Sequence, residues 1–186
     1  MFERFTRDAR AVVKGAVEHC EVAGAQTVDA EHLLLALFDR GTGRGSFALA
    51  ALGLDRSRDA VVRALEEARR RAGLSQADTD ALAGLGIDVS EIVSRVEEAH
   101  GVGAMAGDRE DRGWWSGRRT FSRGAKDVLE KSLRIAVARR ERTIGDEHIL
   151  LALTAHPGVP AEVLAEHGVT YESVTRVIGG GEARAG

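Results

Sequence analysis

The feature that most constrains this chain is a motif that the sequence contains twice. The first copy, Thr27–Leu37, reads TVDAEHLLLAL, and the second copy, Thr143–Leu153, reads TIGDEHILLAL. The same spacing holds upstream, because Phe5–Arg7 (FTR) corresponds to Phe121–Arg123 (FSR) with no insertion between. An internal repeat of this kind predicts two halves of similar fold, which present two similar surfaces.

Each copy has the hydrophobic periodicity of helices. Thr6 and Ser122 are placed to cap the first helix of each copy. Asp29 and Gly145 take the cap positions of the second helices, whose leucine-rich runs predict helices at the centre of each half. Two further helices follow in each copy, so we predict an all-α fold of two four-helix repeats. The apolar face of the first helix is formed by Ala9, Val12, Val13, Ala16, Val17 and Cys20.

The middle of the chain is less regular. Ala81–Asp88 resembles a shorter stretch of the first repeat and precedes another apolar stripe, which together predict an extra helical pair. Glycines and charges then surround Trp114 and Trp115, which we expect to dock on one half or to contact a partner. The predicted segments are repeat one (1–72), the extra helical pair (74–101), a linker (102–119), repeat two (120–178) and a flexible tail (179–186), with residues 1–178 forming a single domain.

The composition argues against several classes of protein. A formal charge of −3 over 186 residues does not favour general nucleic-acid binding. The single cysteine, Cys20, excludes an intramolecular disulfide and a cysteine-rich metal site. Apolar runs are too short to cross a membrane, and the first residues lack the core of a secretory signal. We therefore predict a cytoplasmic protein that binds neither nucleic acid nor membrane and needs no cofactor.

Two acid–histidine pairs, Glu31-His32 and Glu147-His148, raise the alternative of a metal-dependent or acid–base enzyme. Neighbouring residues on a helix point in different directions, however, and no His-Glu-x-x-His or Gly-x-Ser-x-Gly motif occurs. A histidine at the third helical position is more typical of a structural residue bonded to the end of its helix. We therefore predict a binding protein without a metal site.

The duplicated motifs, together with the Leu-Gly pattern that closes the third helix of repeat one, resemble the Clp N-terminal domain. This double Clp repeat precedes the ATPase modules of the ClpA, ClpB and ClpC unfoldases, and the opening Met1–Thr6 is most similar to actinobacterial ClpC. The resemblance implies two pseudo-twofold-related four-helix lobes that recruit clients and adaptors for a Clp ATPase. The phosphate-binding loop of such an ATPase is missing from this sequence, since Lys14, Lys126 and Lys131 do not follow glycine. We therefore expect a stand-alone recruiting domain, or alternatively a decoy that competes with the ClpC domain.

ClpC-type domains also bind phosphorylated arginine, and the resemblance implies that Thr6 and Glu31 in copy one, and Ser122 and Glu147 in copy two, serve this role. Hydroxyls and helix amides suit a phosphate, while carboxylates suit a guanidinium. The alternative is that these residues only cap helices and favour helix dipoles. An extra acid, Asp146, lies beside Glu147 and predicts a weaker second site.

Actinobacterial ClpC domains are also the target of cyclic-peptide antibiotics. The matching surface here is formed by Phe2, Phe121 and Lys126, so the resemblance implies that the chain binds or sequesters such peptides. The alternative is that Phe2 packs between the two lobes.

Overall fold

The structure is a computed structural model that describes residues 2–101, 104–105 and 119–182 of the chain. Repeat one contains α1 (Arg7–Val22), α2 (Ala30–Asp39), α3 (Arg44–Ala51) and α4 (Arg58–Arg70). The extra pair is α5 (Gln76–Gly84) and α6 (Val89–His100). Repeat two contains α7 (Arg123–Ala138), α8 (Asp146–Ala155), α9 (Val159–Glu166) and α10 (Tyr171–Glu182). The predicted all-α fold of two four-helix repeats with an intervening helical pair is confirmed.

Hydroxyl caps start the first helix of each repeat, as the sequence predicts. Thr6 Oγ1 accepts a hydrogen bond from the Ala9 amide at 3.2 Å, and Ser122 Oγ accepts one from the Ala125 amide at 3.1 Å. Each hydroxyl satisfies an amide that has no partner inside its helix. The two repeats therefore begin with the same local chemistry.

The leucine-rich helices α2 and α8 lie at the centre of the molecule. Most of their large apolar side chains are fully buried, and each of those contributes about 1.5–3 kcal/mol relative to exposure to water. Helices α1 and α7 pack against α2 and α8, respectively, within their own repeats. The buried side chains include Leu33, Leu34, Leu37, Ile149, Leu150, Leu151 and Leu153.

The third and fourth helices pack across the repeats. Helix α3 lies against α8 while α9 contacts α2, and α4 lies against α9 while α10 contacts α3. Each of these contacts is the counterpart of another under exchange of the two repeats. The arrangement is therefore pseudo-twofold, and neither repeat buries its apolar surface alone.

Two very short strands, which we did not predict, also join the repeats. Strand β1 (Thr27–Val28) pairs in parallel with β2 (Thr120–Phe121), so that Val28 lies opposite Phe121. An isolated parallel bridge between Phe5 and Ile144 is the pseudo-twofold counterpart of that pair. Two residues are too few to produce a recognisable alternating pattern, so only the folded chain reveals this pairing.

The extra helical pair is attached at few points. Glu97 of α6 forms an ion pair with Arg70 of α4 at 2.9 Å, and the Gln76 amide of α5 donates to Glu162 of α9 at 2.9 Å. Val89 and Val93 are its buried apolar residues within the described part of the chain, whereas Leu85 is 78% exposed. The pair is thus an appendage to the core rather than a third lobe.

Three further expectations concern the ends and the linker. Trp114 and Trp115, with most of the predicted linker, lie outside the described residues. Helix α10 continues past Ile178 to Glu182, where we expected a flexible tail. No helix in the described ranges is both long and apolar enough to span a membrane.

Candidate functional site

The paired strands place each predicted hydroxyl beside the other repeat. The Ser122 amide donates to the Val28 carbonyl at 3.0 Å, just before α2, and the Thr6 amide donates to the Ile144 carbonyl at 2.9 Å, just before α8. The sequence groups Thr6 with Glu31 and Ser122 with Glu147, because each pair belongs to one repeat. The structure corrects this grouping, because each parallel pairing joins one repeat to the other. Ser122 therefore lies next to the segment that leads into α2, and Thr6 lies next to the segment that leads into α8. We call the region at the amino end of α2 site one and the region at the amino end of α8 site two.

Site one is a cavity of about 490 Å³ at which three helices begin. The amino ends of α2, α7 and α9 all line it, and each carries the partial positive charge of its helix dipole. Glu31 and Ser122 both lie in its wall, so the structure brings together one predicted residue from each repeat. Arg123 and His156 add basic side chains. A cavity with these properties suits an anion with a cationic neighbour.

Glu31 is one of two acids that line site one, together with Asp29, and Arg69 pairs with Glu31. Arg69 Nη2 lies 2.7 Å from Glu31 Oε1, with side-chain exposures of 23% and 18%. Arg69 comes from the last turn of α4, so this ion pair connects the carboxyl end of one helix with the amino end of another. Both side chains line the cavity and remain accessible from it.

Asp146 helps to fill site two. Its carboxylate Oδ2 accepts hydrogen bonds from the Gly45 amide at 3.0 Å and the Ser46 amide at 3.4 Å, and Asp146 is 2% exposed. These amides belong to the first turn of α3, so Asp146 caps a helix of the other repeat. The close approach requires Gly43, whose φ is +119° and where a Cβ would lie 2.2 Å from Asp146 Oδ2.

Glu147 also turns inward. A Cβ on Gly145 would lie 2.0 Å from Glu147 Oε2, so the carboxylate occupies space that exists because the cap residue is glycine. Arg44 Nη1 lies 3.5 Å from Glu147 Oε1. Burial raises the pKa of Glu147 to about 7, the Asp146 charge adds to the rise, and Arg44 opposes it. Glu147 is 5% exposed and is therefore buried.

The two motif histidines bond to the ends of their own helices, as predicted. His32 Nδ1 accepts the Asp29 amide at 2.9 Å, and His148 Nδ1 accepts the Gly145 amide at 2.9 Å. Because Nδ1 is the acceptor, the proton of the neutral ring is on Nε2. Burial lowers the pKa of His148, against the opposing effect of Glu141, and so favours that neutral ring.

Each histidine also lies within a cluster that has the spacing of metal ligands. The first cluster is Asp29, Glu31 and His32, and the second is Glu141, Glu147 and His148. A metal at either ring would need Nε2 without its proton, which would move the proton to Nδ1 against a backbone N–H. The helix-end hydrogen bonds therefore conflict with metal binding at both clusters.

The predicted peptide surface is only partly placed. Phe121 is half-buried against the core, and Lys126 is exposed on α7. The side chain of Phe2 lies outside the described residues. The parts that the structure describes therefore offer one partly covered aromatic ring and one exposed cation.

Sequence reasoning missed Arg69, Arg44 and the capping role of Asp146. Arg69 and Arg44 reach the two sites from elements that the motif does not include, and neither has a distinctive local pattern. The signal for Asp146 was present, because the motif changes from Ala30 to Asp146 between copies. We interpreted that change as charge repulsion, whereas the structure shows a helix cap in the other repeat.

Comparisons with known proteins agree with this architecture. Residues 4–81 and 120–184 match the family model described as the Clp repeat (R) N-terminal domain. The two matched segments correspond to the two repeats, and the gap between them contains α6 and the end of α5.

Among curated proteins, the chain is similar to the chloroplastic chaperone protein ClpC1 of Arabidopsis thaliana, with 31% identity over 96% of this chain and 15% of that protein. It is 28% identical to the chaperone protein ClpB of Oceanobacillus iheyensis, over 100% of this chain and 18% of that protein. The chain thus spans less than a fifth of the length of these relatives.

A solved structure shows the same fold. The N-terminal domain of the chaperone ClpD from Arabidopsis thaliana aligns with a TM-score of 0.50 at 18% identity, covering 96% of this chain and 94% of that one. Domains of this kind bind substrates or adaptors and contain no ATPase module. Two matched repeats, arranged around a pseudo-twofold axis, identify the chain as a member of the Clp repeat N-terminal domain family.

Proposed function

We propose that this protein recruits client proteins or adaptors to a Clp ATPase, and that site one binds phosphorylated arginine. The observation that carries the proposal is the meeting of Glu31 with three helix amino ends around one cavity. A phosphoryl group favours the positive ends of helices, and a guanidinium favours a carboxylate. Phosphoarginine contains both groups next to each other, and site one offers both partners next to each other.

Only one of the two pseudo-equivalent sites has this form. At site two, Asp146 already occupies the amino end of α3, and Glu147 is buried beside it. The Asp146 hydrogen bonds to the Gly45 and Ser46 amides would have to break to admit a phosphate at that position. The proposal therefore assigns one phosphoarginine to each chain, at Glu31.

Titration calorimetry with a phosphoarginine peptide tests this assignment. Glu31→Ala should weaken binding by about tenfold or more, since it removes a charge-assisted partner of the guanidinium. The matched control is Glu147→Gln, the equivalent residue of repeat two, which should bind as tightly as the parent. The measured stoichiometry should be one.

Two results would contradict the proposal in different ways. A parent protein that binds the peptide no better than its unphosphorylated form would remove phosphoarginine but leave general client recruitment. Equal losses for Glu31→Ala and Glu147→Gln would mean that site two also binds. Recruitment itself is tested by pulldown with a purified Clp ATPase and a phosphorylated client.

A further inference from the structure

We propose that Arg69 is an internal competitor of the ligand, because its guanidinium holds the carboxylate that a ligand guanidinium needs. The inference rests on the proposed function of site one and adds a determinant of affinity to it. A ligand then binds only if it displaces Arg69 from Glu31.

The geometry of the ion pair supports competition. Arg69 Nη2 lies 2.7 Å from Glu31 Oε1, which is the distance of a charge-assisted hydrogen bond. A planar guanidinium binds a carboxylate best through two parallel hydrogen bonds, which require both oxygens. Each carboxylate oxygen has two lone pairs, but an incoming guanidinium bonded to both oxygens would lie against the Arg69 guanidinium, and the two positive charges would repel each other.

The second neighbour of Arg69 holds it poorly. Arg69 Nη2 lies 3.0 Å from His32 Nε2, but His32 Nδ1 already accepts the Asp29 amide. A neutral imidazole has one acceptor nitrogen, so Nε2 carries the proton and two donors face each other. The favourable contact of Arg69 at this place is therefore the one with Glu31. Moving Arg69 away from Glu31 also removes its unfavourable contact with His32 Nε2.

A cavity next to site one gives the Arg69 side chain space to move away from Glu31. Glu31 and Arg69 line both site one and a neighbouring cavity of about 320 Å³, whose wall includes Leu35, Val62 and Leu65. The pair therefore forms part of the boundary between the two cavities. The aliphatic stem of Arg69 can remain on this apolar wall while its guanidinium turns toward solvent.

The competition has a functional consequence. The apparent affinity of any ligand that needs Glu31 falls as the fraction of time that Arg69 is paired with Glu31 rises. An unmodified arginine replaces one guanidinium with another and gains little. Phosphoarginine forms a further favourable interaction, between its phosphoryl group and the amino ends of the helices. The internal pair therefore keeps unmodified arginines, which are present on most protein surfaces, below the threshold for binding.

Calorimetry of Arg69→Gln with two peptides, identical except for the phosphoryl group, tests the inference. Both peptides should bind about fivefold more tightly than to the parent, because removing a competitor helps each ligand equally. Arg70→Gln is the matched control, since it breaks an ion pair on the same helix, with Glu97, away from site one. It should leave both affinities unchanged.

The alternative roles of Arg69 give different results. If Arg69 grips the phosphate, Arg69→Gln weakens the phosphorylated peptide alone, and the inference is wrong. Unchanged affinities also overturn it, while the proposed function stands. If neither the parent nor Arg69→Gln binds the phosphorylated peptide, this inference and the phosphoarginine assignment both fall, while general client recruitment stands. Thermal unfolding of Arg69→Gln checks that this variant is folded under the conditions of the titration. Arg69→Lys keeps the positive charge but lacks the planar guanidinium, so it should give an intermediate affinity.

Discussion

The amino ends of α2 and α8 carry the same Glu-His-Leu/Ile motif but have opposite surroundings. Glu31 points toward a cavity and pairs with Arg69 at its wall, whereas Glu147 is buried against α3. The histidines that follow behave alike, since each accepts a hydrogen bond from the amide three residues earlier. The duplicated motif thus fixed the helix end in both copies, while the acid next to it took two different roles.

Two neighbouring residues account for the difference. In repeat one the cap is Asp29, which has a Cβ, and the next residue is the small Ala30. In repeat two Gly145 leaves space into which the Glu147 carboxylate folds, and Asp146 reaches the first turn of α3. Divergence at these two positions, together with the close approach that Gly43 and Gly45 allow, therefore fills one of the two equivalent surfaces.

The largest expected effect comes from removing the cap that fills site two. Asp146→Ala should lower the free energy of unfolding by about 3 kcal/mol, because it leaves the Gly45 and Ser46 amides without their buried acceptor. Urea denaturation measures the loss. Asp146→Asn keeps an acceptor oxygen and should lose less. If Asp146→Ala costs no more than the exposed substitution Asp55→Ala, the cap does not stabilise the fold.

The buried acid beside that cap should make stability depend on pH. Because the pKa of Glu147 is raised from its ordinary 4.5 to about 7, its contribution is fully present below pH 4.5 and is lost as the pH rises through 7. Glu147→Gln removes this loss, so at pH 8 it should be more stable than the parent by about 2 kcal/mol.

Denaturation at pH 5 and pH 8 measures this effect. Glu31→Gln is the control from the other repeat, and it should lose stability at pH 8 because it breaks the ion pair with Arg69. A Glu147→Gln variant with the same pH dependence as the parent would show that the carboxylate is not buried in solution.

The smallest expected effect tests where the two repeats remain alike. Thr6→Ala and Ser122→Ala should each cost about 1 kcal/mol, since the two hydroxyls cap their helices at nearly the same distance. Thermal or urea unfolding gives both values. Losses that differ by more than the measurement error would mean that the similarity of the repeats ends at the first helix as well.

Much of the fold could be predicted because its signals are local. The caps at Thr6 and Ser122 and the apolar runs of α2 and α8 each involve a few neighbouring residues. The extra helical pair also followed from local periodicity. The pairing of β1 with β2 could not be predicted, because two-residue strands carry almost no pattern and their partners are far apart in the chain.

The candidate site was only half predictable for the same reason. The sequence identified Glu31 and Ser122, but it placed them in different sites because they belong to different repeats. Arg69 contributes from a distant helix, and nothing near it in the chain indicates this. Whether the residues implied for phosphoarginine bind it stays a prediction, as does peptide binding at Phe121 and Lys126.

The sequence by itself determined that two copies of one helical unit form this protein, because periodicity and capping depend on residues within a turn or two of each other. Only the tertiary structure decided which copies face each other and which acid remains accessible. That choice depends on the space beside Gly145, which Glu147 fills, and on the approach of α3 to α8, where Asp146 accepts from an amide 101 positions away in the chain.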